Sequence, residues 1–492
     1  MKKLLGIVAL GLLLSGNAYS EKFESNINFK NKITVKYFNQ WLLDNGHHQY
    51  LDKESDNIRY ILDRSVCKSK TLEEDYNIIK KCIGADGTII PNSDLKFKKI
   101  YPNNLNITIY KNRWQVHPRA EPNRDTLIYY LWKTLAHIKG TFDKTYNFYE
   151  IKPSKEPYEF KSNLRENKFV KKQLKKTAIL SYLLFEDDKI VIDEVSPKEK
   201  LGEFFNDETK FRSNSVGKSM VGYLAGHAIC AGYIDSLDTK LNDWPLIEKT
   251  LYHDQKLIDL LNMNAGDHKH VTDVAFWDGT SNDDLNLTVY MHMMNGKKKS
   301  KSKYNYHGML PNLVFNYIKF KSGDQFEKFL EDVFQRHVKI KNSVIFFKRK
   351  DGPEEGKANS MFYADRYDYL RIAKTVMNDY QKNNCVGKYL KDIHKRRIQK
   401  KTTKEFEDPA YNPSKEYGGY FHMGYSGLKK RVVFGMSGYG GNSILIDPET
   451  STITVINSLH YRSKSSSKYH YNEKKLSIKP IKNRKKSKWK NF

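Results

Sequence analysis

Cysteine is scarce in this chain: four residues in 492, at Cys67, Cys82, Cys230 and Cys385. No Cys-x-x-Cys pair and no Cys/His set with zinc spacing occurs, and His268-x-His270 alone is too little for a metal site. No metal or organic cofactor is expected. Acidic residues are also short, 57 Asp and Glu against 85 Lys and Arg, for a net charge of +28. Long apolar runs are missing apart from one at the N-terminus, which excludes a polytopic membrane protein. What is plentiful is core material, 39% hydrophobic and 13% aromatic residues. Full disorder and a fibrous repeat are poor in aromatics, so both are excluded. The length is compatible with about three domains or with one large enzyme fold behind a lead segment.

The single apolar run is Leu4–Leu14, preceded by Lys2 and Lys3 and followed by small residues at Ala18 and Ser20. That order reads as a cleaved signal peptide over 1–20, too short to span a bilayer as a helix. The expected location is exported, periplasmic or secreted. In an oxidising compartment the spacing of Cys67 and Cys82 permits a local disulfide. Cys230, set in an apolar helical pattern, reads as a buried thiol.

Most of the positive charge is diffuse and follows a general Lys, Asn, Ile and Tyr bias, so no nucleic-acid partner is inferred. The last residues, 461–492, are different: twelve Lys or Arg against one Glu. With almost no apolar periodicity they read as a mobile basic tail, either simply solvated or in contact with an anionic envelope surface.

Residues 21–165 form a lead region of unknown role, with helices expected around Val35–Leu43 and Thr126–Ile138. From about Glu166 the texture changes. Thr177–Phe185 and Lys189–Glu194 read as a hairpin turning at Glu186-Asp-Asp188. Helices are expected over 216–231, 258–266, 313–320, 326–333 and 367–379, and strands over 431–436, 443–447 and 452–457. Strands at both ends with helices between them suggest an antiparallel sheet built from both termini, carrying a helical subdomain.

The chemistry concentrates in Phe211-Arg-Ser-Asn-Ser-Val-Gly-Lys-Ser-Met220. Ser215 and Lys218 form an S-x-x-K pair at the start of an apolar helix. Spacing i, i+3 puts hydroxyl and amine on one face, within reach of each other. A serine hydroxyl is a weak nucleophile until a base takes its proton, and a buried lysine can be that base. The helix N-terminus favours negative charge developing at the oxygen.

This stretch resembles the serine β-lactamase and penicillin-binding-protein superfamily, particularly class C β-lactamases, related esterases and 6-aminohexanoate-dimer hydrolases. Leu260-Leu-Asn-Met-Asn-Ala-Gly266 is similar to the family's "LLxMxSG" segment, with Ala265 where Ser is usual. The likeness spans roughly 175–458. It implies an α/β (α+β) fold: a β-lactamase-like antiparallel sheet flanked by helices, over 166–460. It also implies a catalytic tyrosine after a variable insert. Within Tyr304-Asn-Tyr-His-Gly308, Tyr306 fits that place, with Tyr304 as the competitor. Gly308 stands where the family has Asn.

The family's third element is a K-T-G or H/W-x-G triad on an edge strand. Gly435-Met-Ser-Gly-Tyr-Gly-Gly-Asn-Ser443 resembles its "HxGxGGQ" form, so Met436, Ser437 and Gly438 fill the triad. The amide of Tyr439, with that of Ser215, would make the oxyanion hole. A methionine has no charge with which to pair a β-lactam carboxylate. The expectation is therefore a small-molecule ester or amide substrate, turned over through an acyl-enzyme. A cell-wall peptidase or transpeptidase and a non-catalytic cationic binding protein remain as alternatives, and the oligomeric state is open.

Overall fold

The computed structural model describes residues 107–110, 113–116, 146–202, 205–271, 287–349, 357–400, 414–428, 430–459 and 471–484. The signal peptide, the helices expected at Val35–Leu43 and Thr126–Ile138, and Cys67 with Cys82 lie outside the described residues.

The strands, in chain order, are β1 (Ile107–Tyr110), β2 (Arg113–Val116), β3 (Tyr146–Ile151), β4 (Lys161–Ser162), β5 (Ile179–Glu186), β6 (Lys189–Val195), β7 (Phe211–Arg212), β8 (Val344–Arg349) and β9 (Ala358–Ala364). They continue with β10 (Ile398–Gln399), β11 (Ser414–Gly418), β12 (Phe421–Tyr425), β13 (Phe434–Gly438), β14 (Asn442–Asp447) and β15 (Thr452–Ser458). The helices are α1 (Lys168–Lys176), α2 (Val216–Cys230), α3 (Leu257–Leu261), α4 (Leu287–Met294), α5 (Met309–Ser322), α6 (Phe326–Glu331), α7 (Arg366–Lys382), α8 (Cys385–Lys395) and α9 (Lys479–Asn483).

Nine strands form the main sheet in the order β10-β11-β12-β13-β14-β15-β5-β6-β4. Every neighbouring pair is antiparallel except β4 with β6. The two ends of the unit meet where the C-terminal β15 pairs with β5, Ile453 opposite Phe185. The expected sheet built from both termini is what forms. The hairpin turns at Asp187 and Asp188, both at positive φ, a conformation that short polar side chains tolerate.

All eight residues of β5, Ile-Leu-Ser-Tyr-Leu-Leu-Phe-Glu, are buried. A strand apolar on both faces must be covered on both. On one face α2, α7 and α8 pack, α7 lying across β5, β14 and β15. On the other, α1 lies against β5 and β6, and residues 474–483 lie against β14 and β15. A second, four-stranded sheet, β3-β8-β9-β7, sits against α2 and α5.

Three expectations need correction. The fold begins before residue 166: Tyr146–Ile151 is an edge strand of the second sheet, paired with β8. The basic tail is not all mobile. Tyr471, Leu476, Ile478 and Ile481 are buried, the first two with Tyr182 and Ile456, the latter two with Tyr425 and Leu445. Apolar residues at 476, 478 and 481 are too few for a strong helical period, yet enough to cover an apolar sheet face. Cys230 is not a thiol but is disulfide-bonded to Cys385, joining the end of α2 to the start of α8.

Candidate active site

The start of α2 is pressed into place by backbone contacts that only glycine permits. A Cβ on Gly217 would lie 1.9 Å from the Ser360 carbonyl oxygen of β9. A Cβ on Gly438, at the end of β13, would lie 2.3 Å from the Ser213 carbonyl oxygen. The Ser215 segment is thus wedged between the two sheets. Asn214, just before it, takes positive φ, which Asn tolerates better than most residues.

Ser215 occupies the N-cap of α2 but makes no capping hydrogen bond. Instead its Oγ accepts from Lys218 Nζ at 2.8 Å. Lys218 is only 8% exposed, so the pair is largely shielded from water. The expected S-x-x-K contact is present. Lys218 Nζ also lies over the Tyr306 ring, 5.0 Å from its centroid, which places Tyr306 beside the pair. Tyr304 is buried against Tyr417.

A buried polar network that sequence reading did not detect braces the tyrosine segment. Asp267 accepts from Asn305 Nδ2 at 3.0 Å and from the Tyr252 hydroxyl at 2.9 Å, and pairs with His307 Nε2 at 2.8 Å. Burial alone would raise the Asp267 carboxyl, but His307, Asn305 and Tyr252 together hold it below its ordinary value. The residues on both sides of Tyr306 are therefore anchored. Gly308 is the N-cap of α5, and α5 is fastened to β9 by Asn312 and Asn316, whose side chains bond the Ser360 and Ala358 backbone.

Behind Tyr306 lies a second unforeseen group. Lys400 Nζ donates to Ser414 Oγ and to His422 Nδ1, the latter at 2.7 Å, and all three residues are buried. The His422 ring is 6.4 Å from that of Tyr306. Burial, then the Lys400 and Lys218 charges, push the His422 pKa well below its ordinary value, so the imidazole is neutral. No local pattern marks these residues, because Lys400 follows β10 while Ser414 and His422 lie in β11 and β12.

The residues expected on β13 separate. Gly438 and Tyr439 reach the segment before Ser215: Asn214 Nδ2 donates to the Tyr439 carbonyl at 2.7 Å. Tyr439 is 45% exposed, at the mouth of the site. Met436 is wholly buried in the core cluster that includes α2, so it does not line the opening as expected. Ser437 points to the opposite face of the strand, where its hydroxyl meets that of Tyr425. Alternation along a strand sends neighbours to opposite faces, and the triad could not put both side chains in the site.

No family model and no curated protein matches the chain by sequence. Solved structures match it by fold. A chain assigned as a 6-aminohexanoate-dimer hydrolase from Bacillus anthracis superposes with a TM-score of 0.53 at 15% identity, covering 72% of this chain and 93% of that one. A penicillin-binding protein from Bacillus halodurans gives 0.44 at 16%, covering 60% and 95%. EstCE1, a hydrolase with promiscuous acyltransferase activity, gives 0.44 at 12%, covering 62% and 94%. The first of these, the one above a TM-score of 0.5 among the three, shows the fold: this chain is folded like that hydrolase over most of its length.

Proposed function

We propose that this protein is an exported serine hydrolase that cleaves a small-molecule ester or amide through an acyl-enzyme. The observation that carries the reading is the 2.8 Å contact between Lys218 Nζ and Ser215 Oγ at the start of a buried helix. Ser215 attacks the carbonyl as Lys218 takes its proton, and Tyr306 passes a proton to the leaving group. The Ser215 and Tyr439 amides stabilise the oxyanion, and water then releases the acyl group. Met436 stands where the family's lysine would be but is buried in the core, so that position offers no cation to a β-lactam carboxylate, and neutral acyl groups are the favoured substrates. The Cys230–Cys385 disulfide supports export, since such bonds persist in oxidising compartments.

Labelling the purified protein with a fluorophosphonate tests the reading. Covalent modification of wild type and none of Ser215→Ala is expected. Equal labelling of both would overturn the nucleophile assignment. On p-nitrophenyl esters of short acids, kcat/KM should exceed that on nitrocefin, and the reverse order would reject the substrate class.

A further inference from the structure

At the end of α2 remote from Ser215, three side chains converge that no sequence motif connects. His227 lies in the last turn of α2, His337 in the wide π-helical turn Asp332–Val338, and Asp379 near the end of α7. One ligand atom from each lies within 4.8 Å of the others. His337 Nε2 is 3.0 Å from both carboxylate oxygens of Asp379, and the His227 and His337 rings meet edge to face with centroids 5.0 Å apart.

The carboxylate is buried and held from behind. The Tyr223 hydroxyl donates to Asp379 Oδ2 at 2.6 Å and the Asn384 side-chain amide to Oδ1 at 2.7 Å. Such outer partners are what orient a metal-binding carboxylate. The Nε2 atom of His227 is buried with no hydrogen-bond partner among the described residues. A buried nitrogen left unsatisfied is unfavourable and calls for an explanation, an ion among them.

We propose that His227, His337 and Asp379 bind one divalent cation of the zinc class, with water completing the shell. Two imidazoles and a carboxylate suit zinc, whereas calcium and magnesium favour oxygen ligands. The His337 side chain is 37% exposed, which gives the ion a way in. His227 is twelve residues along the helix from Ser215, about 18 Å at the usual rise per residue. The ion therefore acts as a structural clasp rather than a catalyst. It ties α2, α7 and the 332–338 turn together, beside the Cys230–Cys385 bond that ties α2 to α8.

The full-length protein is stripped with a chelator, dialysed against zinc chloride, and its bound metal measured with its melting temperature. Wild type is expected to hold about one more zinc per chain than His337→Ala, and to show a zinc-dependent rise in Tm that the variant lacks. His227→Gln, a milder change, should weaken zinc binding at least about tenfold. Equal zinc content and equal Tm response in wild type and both variants would overturn the site. Cobalt loading of the wild-type chain gives an answer that needs no variant. Intense visible bands of four-coordinate Co²⁺ support the site, and weak bands of the aqueous ion overturn it.

Discussion

The side-chain amide of Asn214 donates to the main-chain carbonyl of Tyr439 at 2.7 Å, tying the residue before Ser215 to the turn that follows β13. The two amides proposed for the oxyanion hole, those of Ser215 and Tyr439, therefore belong to segments that this hydrogen bond joins. Asn214→Gly keeps the positive φ and removes only the tether. We expect kcat to fall by about tenfold with little change in Tm, since small misplacements of a positioned group are costly to rate. Ester-hydrolysis kinetics beside thermal melting would show it; an unchanged kcat would mean that the turn holds itself.

Lys218→Arg should be nearly inactive. Arginine remains charged and cannot take the proton of Ser215, and its larger head must fit a site where the lysine is 8% exposed. Pre-steady-state acylation is the measurement, and a substantial acylation rate in the variant would assign the base to another group.

Removal of the Cys230–Cys385 bond should lower stability without touching the site chemistry. The linked residues are 155 apart in sequence. In the chain-entropy picture a loop of that size stabilises by about 5 kcal/mol at most. Paired Cys230→Ser and Cys385→Ser variants should lose several degrees of Tm, and single variants as much as the double. Tm equal to wild type would show that the bond is dispensable.

Truncation after Leu459 should destabilise the whole unit rather than remove an idle tail. It strips Tyr471 and Leu476 from Tyr182 and Ile456, and Ile478 and Ile481 from Tyr425 and Leu445. Each such buried side chain is worth roughly 1.5–3 kcal/mol. Soluble yield and melting temperature would register the loss, whereas a truncated chain with wild-type Tm would make this segment marginal.

Stability should also depend on Glu473, whose carboxyl burial pushes up to about 7. It binds its proton more tightly folded than unfolded, so its contribution is complete below about pH 4.5 and fades as pH rises through 7. Asp365, raised to about 7 by burial and by Asp368, acts with the same sign. Denaturation midpoints between pH 5 and 8 should fall less in Glu473→Gln than in wild type. Parallel slopes would remove Glu473 from the account.

The parts of this protein legible in its sequence are those set by local geometry. Ser215 and Lys218 are one helical turn apart, so once α2 exists their contact is nearly obligatory. The Asp187–Asp188 turn, the arrest of α2 at Gly232 with positive φ, and the strands β13 to β15 likewise follow from nearby residues. Strands β8 and β9 were not legible because their apolar residues lack clean alternation, and β11 and β12 because each is only five residues long. Pairings across long separations were decided only by the tertiary structure: Cys230 with Cys385, Asp267 with His307, Asn214 with Tyr439, and Tyr471 with the far face of the sheet. The triad on β13 shows the difference most plainly. Its sequence positions Met436, Ser437 and Gly438 as one motif, but the pleat turns Ser437 to Tyr425 while packing buries Met436, leaving Gly438 against the Ser213 carbonyl beside Ser215. Which face of a strand meets a helix is settled by the burial of the whole sheet, and no stretch of three residues contains that information.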